Sequence, residues 1–433
     1  VTAGAGNNIV IGDHGEIDFS GTDSDPADID LITTRNGAIG GDDTITSSGG
    51  NDILIGGFGS DDLRAGDGSN VVLGDNGQLV SAVADTPQLN GHPFAAGQIR
   101  TASPILGAAD TIVTGTGNDM ILAGAGGDTV DAGAGNNILL GDHGEIDFSG
   151  TDGDPSDIDS IVSTQSDLGG DDSLTSLGGD DIVIGGFGSD TIQAGDGANI
   201  ILGDSGELVS ASADSPQLDG HPLVPGTIQT ISPGDGDSDT ITTGNGADMI
   251  LAGAGGDTVD AGAGNNILLG DHGEIEFSGT DGDPSDIDLI NSLDESDGGD
   301  DSLTSASGDD IILGGFGSDT IQAGDGANIV LGDNGELISA VADSPELNGQ
   351  PFAPGQIQTT DASIGDVDTI TTGSGNDMIL AGAQGDDVTA GAGNNIVIGD
   401  HGEIDFSGTD SDPADIDLIT TRNGAIGGDD TIT

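Results

Sequence analysis

Aspartates recur at a fixed spacing within glycine-rich segments, and carboxylates in this setting are suited to holding a divalent cation. The segment Gly56–Arg64 reads GGFGSDDLR, with Asp61 at its sixth position and Leu63 at its eighth. Its core GGFGSD returns at Gly185 and at Gly314, 129 residues apart. Calcium takes about six to eight oxygen ligands in flexible geometry. We therefore expect each nonapeptide loop to offer backbone carbonyls and its position-6 carboxylate, with two stacked loops completing one calcium site.

The position-6 aspartates are the predicted metal ligands. An aliphatic residue follows two positions later in each nonapeptide, a regularity that a flexible Gly/Asp-rich linker would not keep. The fourth nonapeptide of each run has Asn70 or Asn137 instead, so we expect the ladder of ions to weaken and the roll to end there. The predicted ligands are Asp43, Asp52, Asp61, Asp110, Asp119, Asp128, Asp172, Asp181, Asp190, Asp239, Asp248, Asp257, Asp301, Asp310, Asp319, Asp368, Asp377, Asp386 and Asp430.

Two further acidic motifs are weaker metal candidates. The motif GD[HNS]G closes each run of nonapeptides, and its aspartate would either ligate the last ion or hydrogen-bond a turn. An acidic connector, DSDPADID from Asp23, would form either an open calcium loop or a solvated acidic loop. The residues concerned are Asp13, Asp75, Asp142 and Asp204 in the closing motif, and Asp23, Asp25, Asp28 and Asp30 in the connector.

The composition favours divalent cations as partners. The chain has 433 residues, 82 of them Gly, with 78 Asp plus Glu against four Lys plus Arg, for a net charge of -74. Carboxylates at this density repel one another and oppose compaction unless a counter-ion is present. Such a polyanion will not bind nucleic acid or an anionic membrane by charge. There is no cysteine, which excludes disulfides and thiolate metal sites, and no apolar run approaches the length of a membrane span.

The chain is an array of internal repeats. Residues 1–46 are identical to residues 388–433, and GDHGEI recurs every 129 residues from Gly12. We expect the segment to belong to a longer tandem array. The predicted organisation is the end of a half-repeat with an acidic insert at 1–37, repeat units at 38–166, 167–295 and 296–424, and the start of another unit at 425–433.

Each repeat unit contains two half-repeats of four nonapeptides, a closing strand and a connector. In a parallel β-roll each nonapeptide supplies one tight loop and one short strand, and successive strands alternate between two sheets. Position 8 then points into the core. We therefore predict an all-β fold, a parallel β-roll or β-helix solenoid, with a core that includes Ile45, Leu54, Leu63, Val72, Ile112, Ile121, Val130 and Leu139.

The second and fourth nonapeptides are also apolar at positions 7 and 9, which should point outward. Ile53, Ile55, Val71 and Leu73 illustrate the pattern. Because strands alternate, these residues fall in one sheet and give it an apolar outer face too large to leave in water. We expect this face to pack on the other half-repeat, on a connector or on a neighbouring chain.

The nonapeptides resemble the repeats-in-toxin (RTX) calcium-binding family, over a little more than half of the chain. The resemblance implies that the position-6 aspartates and loop carbonyls bind calcium in a parallel β-roll that folds on meeting extracellular calcium. It also implies the setting, since such repeats occur in type I-secreted bacterial toxins, proteases, lipases and giant surface adhesins.

No catalytic constellation accompanies the repeats. The histidines of the closing motif, such as His14, are Asn or Ser in the alternate half-repeats, so we interpret them and His92 as structural. The leading hypothesis is a non-enzymatic, calcium-folded segment of a giant secreted bacterial protein, forming a rod, stalk or filament at the cell surface or in the matrix. The alternatives are an accessory export and folding module of a secreted enzyme or toxin, and a multivalent glycan- or partner-binding array.

Overall fold

The structure is a computed structural model that describes residues 1–20, 28–35, 38–82, 88–103, 105–148, 156–211, 223–277, 284–293, 296–340, 352–360, 363–406, 415–422 and 427–433. These residues form two units, residues 1–196 with 204–224 (unit 1) and residues 197–203 with 225–433 (unit 2). Apart from one 3-10 turn at Leu89–Gly91, their regular structure consists of strands. The predicted all-β class is therefore confirmed, while the 129-residue domain boundaries stay a prediction.

Two parallel sheets run through unit 1. We call one the open sheet, because its outer face is polar, and the other the covered sheet. The open sheet contains, in order, Thr44–Thr46, Asp62–Gly66, Thr111–Thr114, Thr129–Asp131, Ser173–Thr175 and Thr191–Gly195. The covered sheet contains Ile9–Ile11, Ile53–Gly57, Val71–Asp75, Met120–Leu122, Ile138–Leu140 and Ile182–Gly186.

Unit 2 repeats the same two parallel sheets. Its open sheet contains Thr240–Thr243, Thr258–Asp260, Ser302–Thr304, Thr320–Gly324, Thr369–Ser374, Asp387–Ala392 and Thr431–Ile432. Its covered sheet contains Ile200–Asp204, Met249–Leu251, Ile267–Leu269, Ile311–Gly315, Ile329–Asp333, Met378–Leu380 and Ile396–Ile398.

The aliphatic residues at position 8 form the core between these sheets. Ile45 pairs with Leu63 in the open sheet, and Leu54 pairs with Val72 in the covered sheet. All four side chains are buried. First and third nonapeptides therefore lie in one sheet and second and fourth in the other, which confirms the predicted alternation and the core positions.

A third, antiparallel sheet, the cover sheet, is built from the closing motifs and the connectors. In unit 1 it contains Gly15–Asp18, Leu31–Thr34, Gly77–Ser81, Ala96–Thr101, Gly144–Asp147, Ser160–Ser163 and Gly206–Ser210. In unit 2 it contains Pro225–Thr230, Gly273–Glu276, Leu289–Ser292, Gly335–Ser339, Pro354–Thr359, Gly402–Asp405 and Leu418–Thr421. The sequence predicted one closing strand per half-repeat but not this third layer.

The cover sheet buries the apolar outer face of the covered sheet. Ile53, Ile55, Val71 and Leu73 are all buried. Leu73 lies directly against Gly77 of the cover sheet, where a Cβ would overlap its side chain. The face is therefore covered by closing-motif and connector strands together, whereas the sequence proposed the connector, the other half-repeat or a neighbouring chain. The described apolar residues of this face are thus buried within the chain, and association with identical chains stays a prediction.

The parallel sheets continue past the fourth nonapeptide, so the prediction that the roll ends at Asn70 and Asn137 is wrong. Within unit 1, Val71 pairs with Met120 across one connector. Ile138 pairs with Ile182 across the next. The connector leaves the roll and returns to it, and the ladder of strands is not interrupted.

The connector is inserted inside a nonapeptide loop. Gly74 and Asp75 end a covered strand, and the Asp75 amide donates to the Ala123 carbonyl oxygen, 3.2 Å away. The chain then forms two cover strands and returns at Gly107, whose missing side chain leaves space for the Asp75 carboxylate. It enters the open sheet after Asp110. One loop is therefore begun by the closing motif and completed by the following half-repeat.

Candidate metal centre

The position-6 residues of the loops fall into two rows. Loops that lead from a covered strand to an open strand carry Asp at every step, and we call them the Asp row. In unit 1 the Asp row is Asp43, Asp61, Asp110, Asp128, Asp172 and Asp190. In unit 2 it is Asp239, Asp257, Asp301, Asp319, Asp368, Asp386 and Asp430.

Loops that lead from an open strand to a covered strand form the mixed row, in which Asn and Asp alternate. In unit 1 the mixed row is Asn8, Asp52, Asn70, Asp119, Asn137 and Asp181. In unit 2 it is Asn199, Asp248, Asn266, Asp310, Asn328, Asp377 and Asn395. All the position-6 residues predicted as ligands thus lie in one of two stacks.

Each row is a ladder of side chain to main chain hydrogen bonds. Asp61 Oδ1 accepts from the Asp43 amide at 2.7 Å, and the Asp61 amide donates to Asp110 Oδ1 at 2.7 Å. The ladder continues with Asp110 donating to Asp128 at 2.6 Å and Asp128 to Asp172 at 2.6 Å. One carboxylate oxygen of each of these aspartates therefore joins two loops, and the other oxygen remains for a further partner.

The second oxygen is buried and has no hydrogen-bond partner along most of the Asp row. A buried polar atom in this state costs about 1–3 kcal/mol, and more when it is charged. A bound cation would remove that cost. The atoms concerned are Oδ2 of Asp61, Asp110, Asp128, Asp172, Asp257, Asp301, Asp319, Asp368 and Asp386.

Without a cation these carboxylates are held in an unfavourable environment. Burial raises the pKa of Asp110 to about 9 and that of Asp128 to about 7. The charge of neighbouring aspartates, Asp75 first, adds to the rise for Asp110. Burial and the charge of Asp142 raise the pKa of Asp172. Low dielectric and like charges both favour the protonated form, and a divalent cation reverses both effects.

Backbone carbonyls converge on the same atoms. At Gly74 a Cβ would overlap Asp110 Oδ2 and the Ala123 carbonyl oxygen. At Gly12 it would lie 2.6 Å from Asp43 Oδ2. A carboxylate oxygen and a carbonyl oxygen thus face one small space that only glycine leaves open, and these are the oxygen ligands that calcium prefers. The residues of the Asp row fit calcium, which when bound would supply positive charge to the buried oxygens.

The closing aspartates reach loops much further along the chain. Asp13 Oδ2 accepts from the Phe58 amide at 2.7 Å, Asp75 Oδ2 from the Ala125 amide at 2.5 Å, and Asp142 Oδ2 from the Phe187 amide at 2.5 Å. Asp204 is also buried. The structure therefore bonds Asp13, Asp75 and Asp142 to a distant loop of the Asp row rather than to a local turn. Their role as ligands stays a prediction.

The described end of the acidic connector, residues 28–30, lies in the cover sheet region and not in either row. Asp28 and Asp30 are buried at the start of a cover strand, where the Ser81 amide donates to the Asp30 carbonyl oxygen at 2.9 Å. Asp23 and Asp25 lie outside the described residues. Nowhere among the described residues do three or more His, Asp or Glu side chains gather as a metal site would require. A cation in the rows would therefore depend on backbone carbonyls for much of its coordination.

His92 contacts a nonapeptide loop, and His401 contacts a cover strand. His92 is buried, its Nε2 lies 2.7 Å from the Asn51 carbonyl oxygen, and burial lowers its pKa. His401 Nδ1 lies 3.1 Å from Thr359 Oγ1 in a cover strand.

Within the described part of the chain, no helix is long and apolar enough to cross a membrane.

Stacked glycine-rich loops and parallel strands place the chain in the class of β-rich, solenoid-like tandem-repeat proteins. The family model of the RTX calcium-binding nonapeptide repeat matches residues 38–77, 106–139, 167–192, 175–207, 233–268, 296–321, 304–336 and 365–399, a little over half of the chain. The chain belongs to this family, as the nonapeptides predicted. Comparisons with curated proteins and with solved structures gave no match.

Proposed function

We propose that calcium folds this chain, and that the folded array is a structural segment of a secreted bacterial protein, serving as a rod, stalk or filament at the cell surface or in the extracellular matrix. Membership of the calcium-binding repeat family supports the calcium dependence. The internal repetition supports a structural role, since each repeat adds its own stability and its contacts with its neighbours.

The observation that carries the proposal is the series of buried, unpartnered carboxylate oxygens in the Asp row. With a net charge of -74, the chain opposes its own compaction until cations neutralise part of that charge. Because the stacked loops exist only in the folded chain, the free energy of calcium binding becomes free energy of folding. Sites of moderate affinity suffice where calcium is near millimolar.

A non-catalytic role is part of the proposal. The aspartates of the Asp row are used in hydrogen bonds that join loops, such as those from Asp43 and Asp110, rather than being gathered about one cleft. The cover sheet occupies the apolar face through which chains would otherwise bundle. We therefore expect single chains rather than bundles to be the calcium-bound form.

The test is a calcium titration of the 433-residue chain followed by far-UV circular dichroism, with magnesium as the control and light scattering recorded alongside. We expect a disordered spectrum to become a β spectrum near millimolar calcium, with no change in magnesium and no increase in scattering. Magnesium demands smaller, near-octahedral sites and gives up its water reluctantly, which is why it should not substitute.

Either of two results would count against the proposal. A β spectrum that persists after EDTA treatment at neutral pH would refute folding by calcium. Scattering that increases in the same step as the β signal would refute the single-chain form and favour lateral association of chains.

A further inference from the structure

The mixed row differs from the Asp row in a way that changes its need for metal. Every second loop of the mixed row presents an asparagine in place of the aspartate. An asparagine amide carries both a hydrogen-bond acceptor and two N–H donors. It can therefore accept the ladder bond from one loop and still donate into the space where a cation would lie.

Asn70 shows the arrangement. Its Oδ1 accepts from the Asp52 amide at 3.0 Å, as an aspartate does in the Asp row. Its Nδ2 donates to the carbonyl oxygen of Gly68 at 2.8 Å and of Gly66 at 3.2 Å, and to Asp119 Oδ1 at 2.9 Å. The amide thus uses the glycine-turn carbonyls and the neighbouring carboxylate that a cation would need.

A comparable contact recurs along the row in both units, with Asn266 and Asn395 using the carbonyl oxygen five residues earlier. In each case the asparagine Nδ2 donates to a carbonyl oxygen of its own loop. The donors are Asn8 to Gly4 and Gly6, Asn137 to Gly135, Asn199 to Gly197, Asn266 to Ala261, Asn328 to Gly324 and Gly326, and Asn395 to Ala390.

Hydroxyl groups donate to two of the aspartates that lie between these asparagines. Thr243 Oγ1 donates to Asp248 Oδ2 at 2.8 Å, and Thr372 Oγ1 donates to Asp377 Oδ2 at 2.7 Å. The hydroxyl stands five residues before the aspartate, where Ser or Thr also precedes the others. These residues are Ser47, Thr114, Ser176 and Ser305.

Two of those hydroxyls bond to neighbouring loops instead. Thr114 Oγ1 donates to the Ala132 carbonyl oxygen at 2.8 Å, and Ser305 Oγ donates to the Gly262 carbonyl oxygen at 3.5 Å. The second oxygens of Asp52, Asp119 and Asp310 are buried and have no hydrogen-bond partner. Each of these three loops nevertheless lies between two loops whose carbonyls an asparagine amide already engages.

We infer that calcium binds along the Asp row alone, and that the mixed row is held together without metal by its asparagine amides. This rests on the proposed calcium-dependent folding, and it assigns the cation to one side of the roll. The carboxylate charge agrees with the assignment, because the Asp row has an aspartate at every step plus the closing aspartates, whereas the mixed row has one at every second step.

The test compares two triple variants of the full chain. One replaces Asp128, Asp257 and Asp386 of the Asp row by Asn, and the other replaces Asp119, Asp248 and Asp377 of the mixed row by Asn. The two sets lie nine residues apart in the same half-repeats and change the charge equally. Bound calcium per chain is measured by equilibrium dialysis at saturating calcium, with circular dichroism to follow folding.

We expect the Asp-row variant to bind about three fewer calcium ions, one for each lost carboxylate, and the mixed-row variant to bind as many as the parent chain. An equal loss from both variants would overturn the inference while leaving calcium-dependent folding intact. A parent chain that binds no calcium would instead refute the proposed function on which the inference rests.

If the Asp-row variant fails to fold, a gain-of-binding variant tests whether the asparagines exclude calcium from the mixed row. Asn70→Asp with Asn137→Asp removes two amide donors and makes the mixed row of unit 1 resemble the Asp row. We expect this variant to bind additional calcium and to need more calcium to fold than the parent. An unchanged calcium count, with folding preserved, would show that the asparagines are not what excludes the cation.

Discussion

Leu73 and Gly77 are the pair through which the cover sheet can be tested most directly. Leu73 is fully buried on the outer face of the covered sheet. An alanine Cβ at position 77 would overlap Leu73 Cδ2 and would lie 3.2 Å from its Cγ. The perturbation is a double-mutant cycle of Leu73→Ala, Gly77→Ala and the two together, made in the calcium-saturated chain.

The expected losses of stability follow from the burial of Leu73 and from the overlap of an added methyl group at Gly77 with its side chain. Leu73→Ala should cost about 2–5 kcal/mol, the usual range for a buried leucine in a packed core. Gly77→Ala should cost about 1–3 kcal/mol, because the added methyl displaces the leucine side chain. In the double variant the methyl added at position 77 enters the space that the leucine side chain vacates, so the total should be about 1–2 kcal/mol smaller than the sum.

Native-state hydrogen exchange is the appropriate assay, because a long repeat array does not unfold in one step. The amides of Val71–Asp75 and Gly77–Ser81 report local opening, and a tenfold change in rate corresponds to about 1.4 kcal/mol. Leu177→Ala, at an exposed site, is the control and should change little. Strictly additive effects of Leu73→Ala and Gly77→Ala would refute the packing of the cover sheet on this face.

Three further outcomes are expected. Gly59→Ala should destabilise its loop by more than about 1 kcal/mol in hydrogen exchange, because Gly59 has φ of 125° and an added Cβ would lie 2.6 Å from the Gly41 carbonyl carbon. Gly41→Ala is the control and should be neutral, because an added Cβ there meets nothing within 4 Å; equal effects of the two substitutions would contradict the geometry. Ile112→Ala should lower the stability measured by hydrogen exchange by about 2–5 kcal/mol, because Ile112 is buried. Ile105→Ala, at an exposed site, should lower it by less than about 0.5 kcal/mol, and a neutral Ile112→Ala would contradict the placement of Ile112 in the core. In EDTA the chain should be most compact in acid, below about pH 4. Burial raises the carboxyl pKa to about 6 at Asp61 and to about 9 at Asp110, so the folded chain binds more protons than the unfolded one. Structure followed by circular dichroism should therefore be lost progressively as the pH rises from about 4 towards about 9, and a pH-independent signal would contradict this.

The core of the roll was predictable from the sequence because its signal is local and periodic. Ile45 and Leu54 stand nine residues apart, and each occupies the same place in its nonapeptide. Ile45 is the single aliphatic residue of its strand and must point inward, and the period of nine puts Leu54 at the equivalent position of the next strand. Both residues are buried, in the open and the covered sheet respectively.

The sequence predicted that the apolar face is covered but did not predict the cover sheet. The apolar residues at positions 7 and 9, such as Val71 and Leu73, showed that something must cover the face. The identity of the covering depended on antiparallel pairings such as Leu79 with Ile99 and Ile99 with Ile146. These strands are short, and their pairing is decided by the position of the roll beneath them, which no local pattern records.

The candidate site was predicted as a set of residues but not as two unlike rows. The position-6 aspartates lie in the stacks where the nonapeptide pattern placed them. Asn70 was interpreted as the end of the roll, because a lost carboxylate suggests a lost ion. The structure shows that its amide bonds the same loop carbonyls, which becomes visible only once Gly66 and Gly68 are placed beside it. The nonapeptide loop at Asp75 was likewise not predicted, because a connector separates its two halves in the sequence.

The hydrogen-bond ladder also determines how the chain can acquire its structure. Successive rungs join residues 18, 44 or 49 positions apart, as in Asp43 with Asp61, Asp128 with Asp172, and Asp61 with Asp110. All of these separations are short beside the 433 residues of the chain, so little loop-closure entropy is lost at each step. Within a unit, a new loop needs only the loop before it as a template. Ordering can then advance as a moving boundary, with finished turns behind it and unstructured chain ahead, and the time to fold should grow in proportion to the number of repeats.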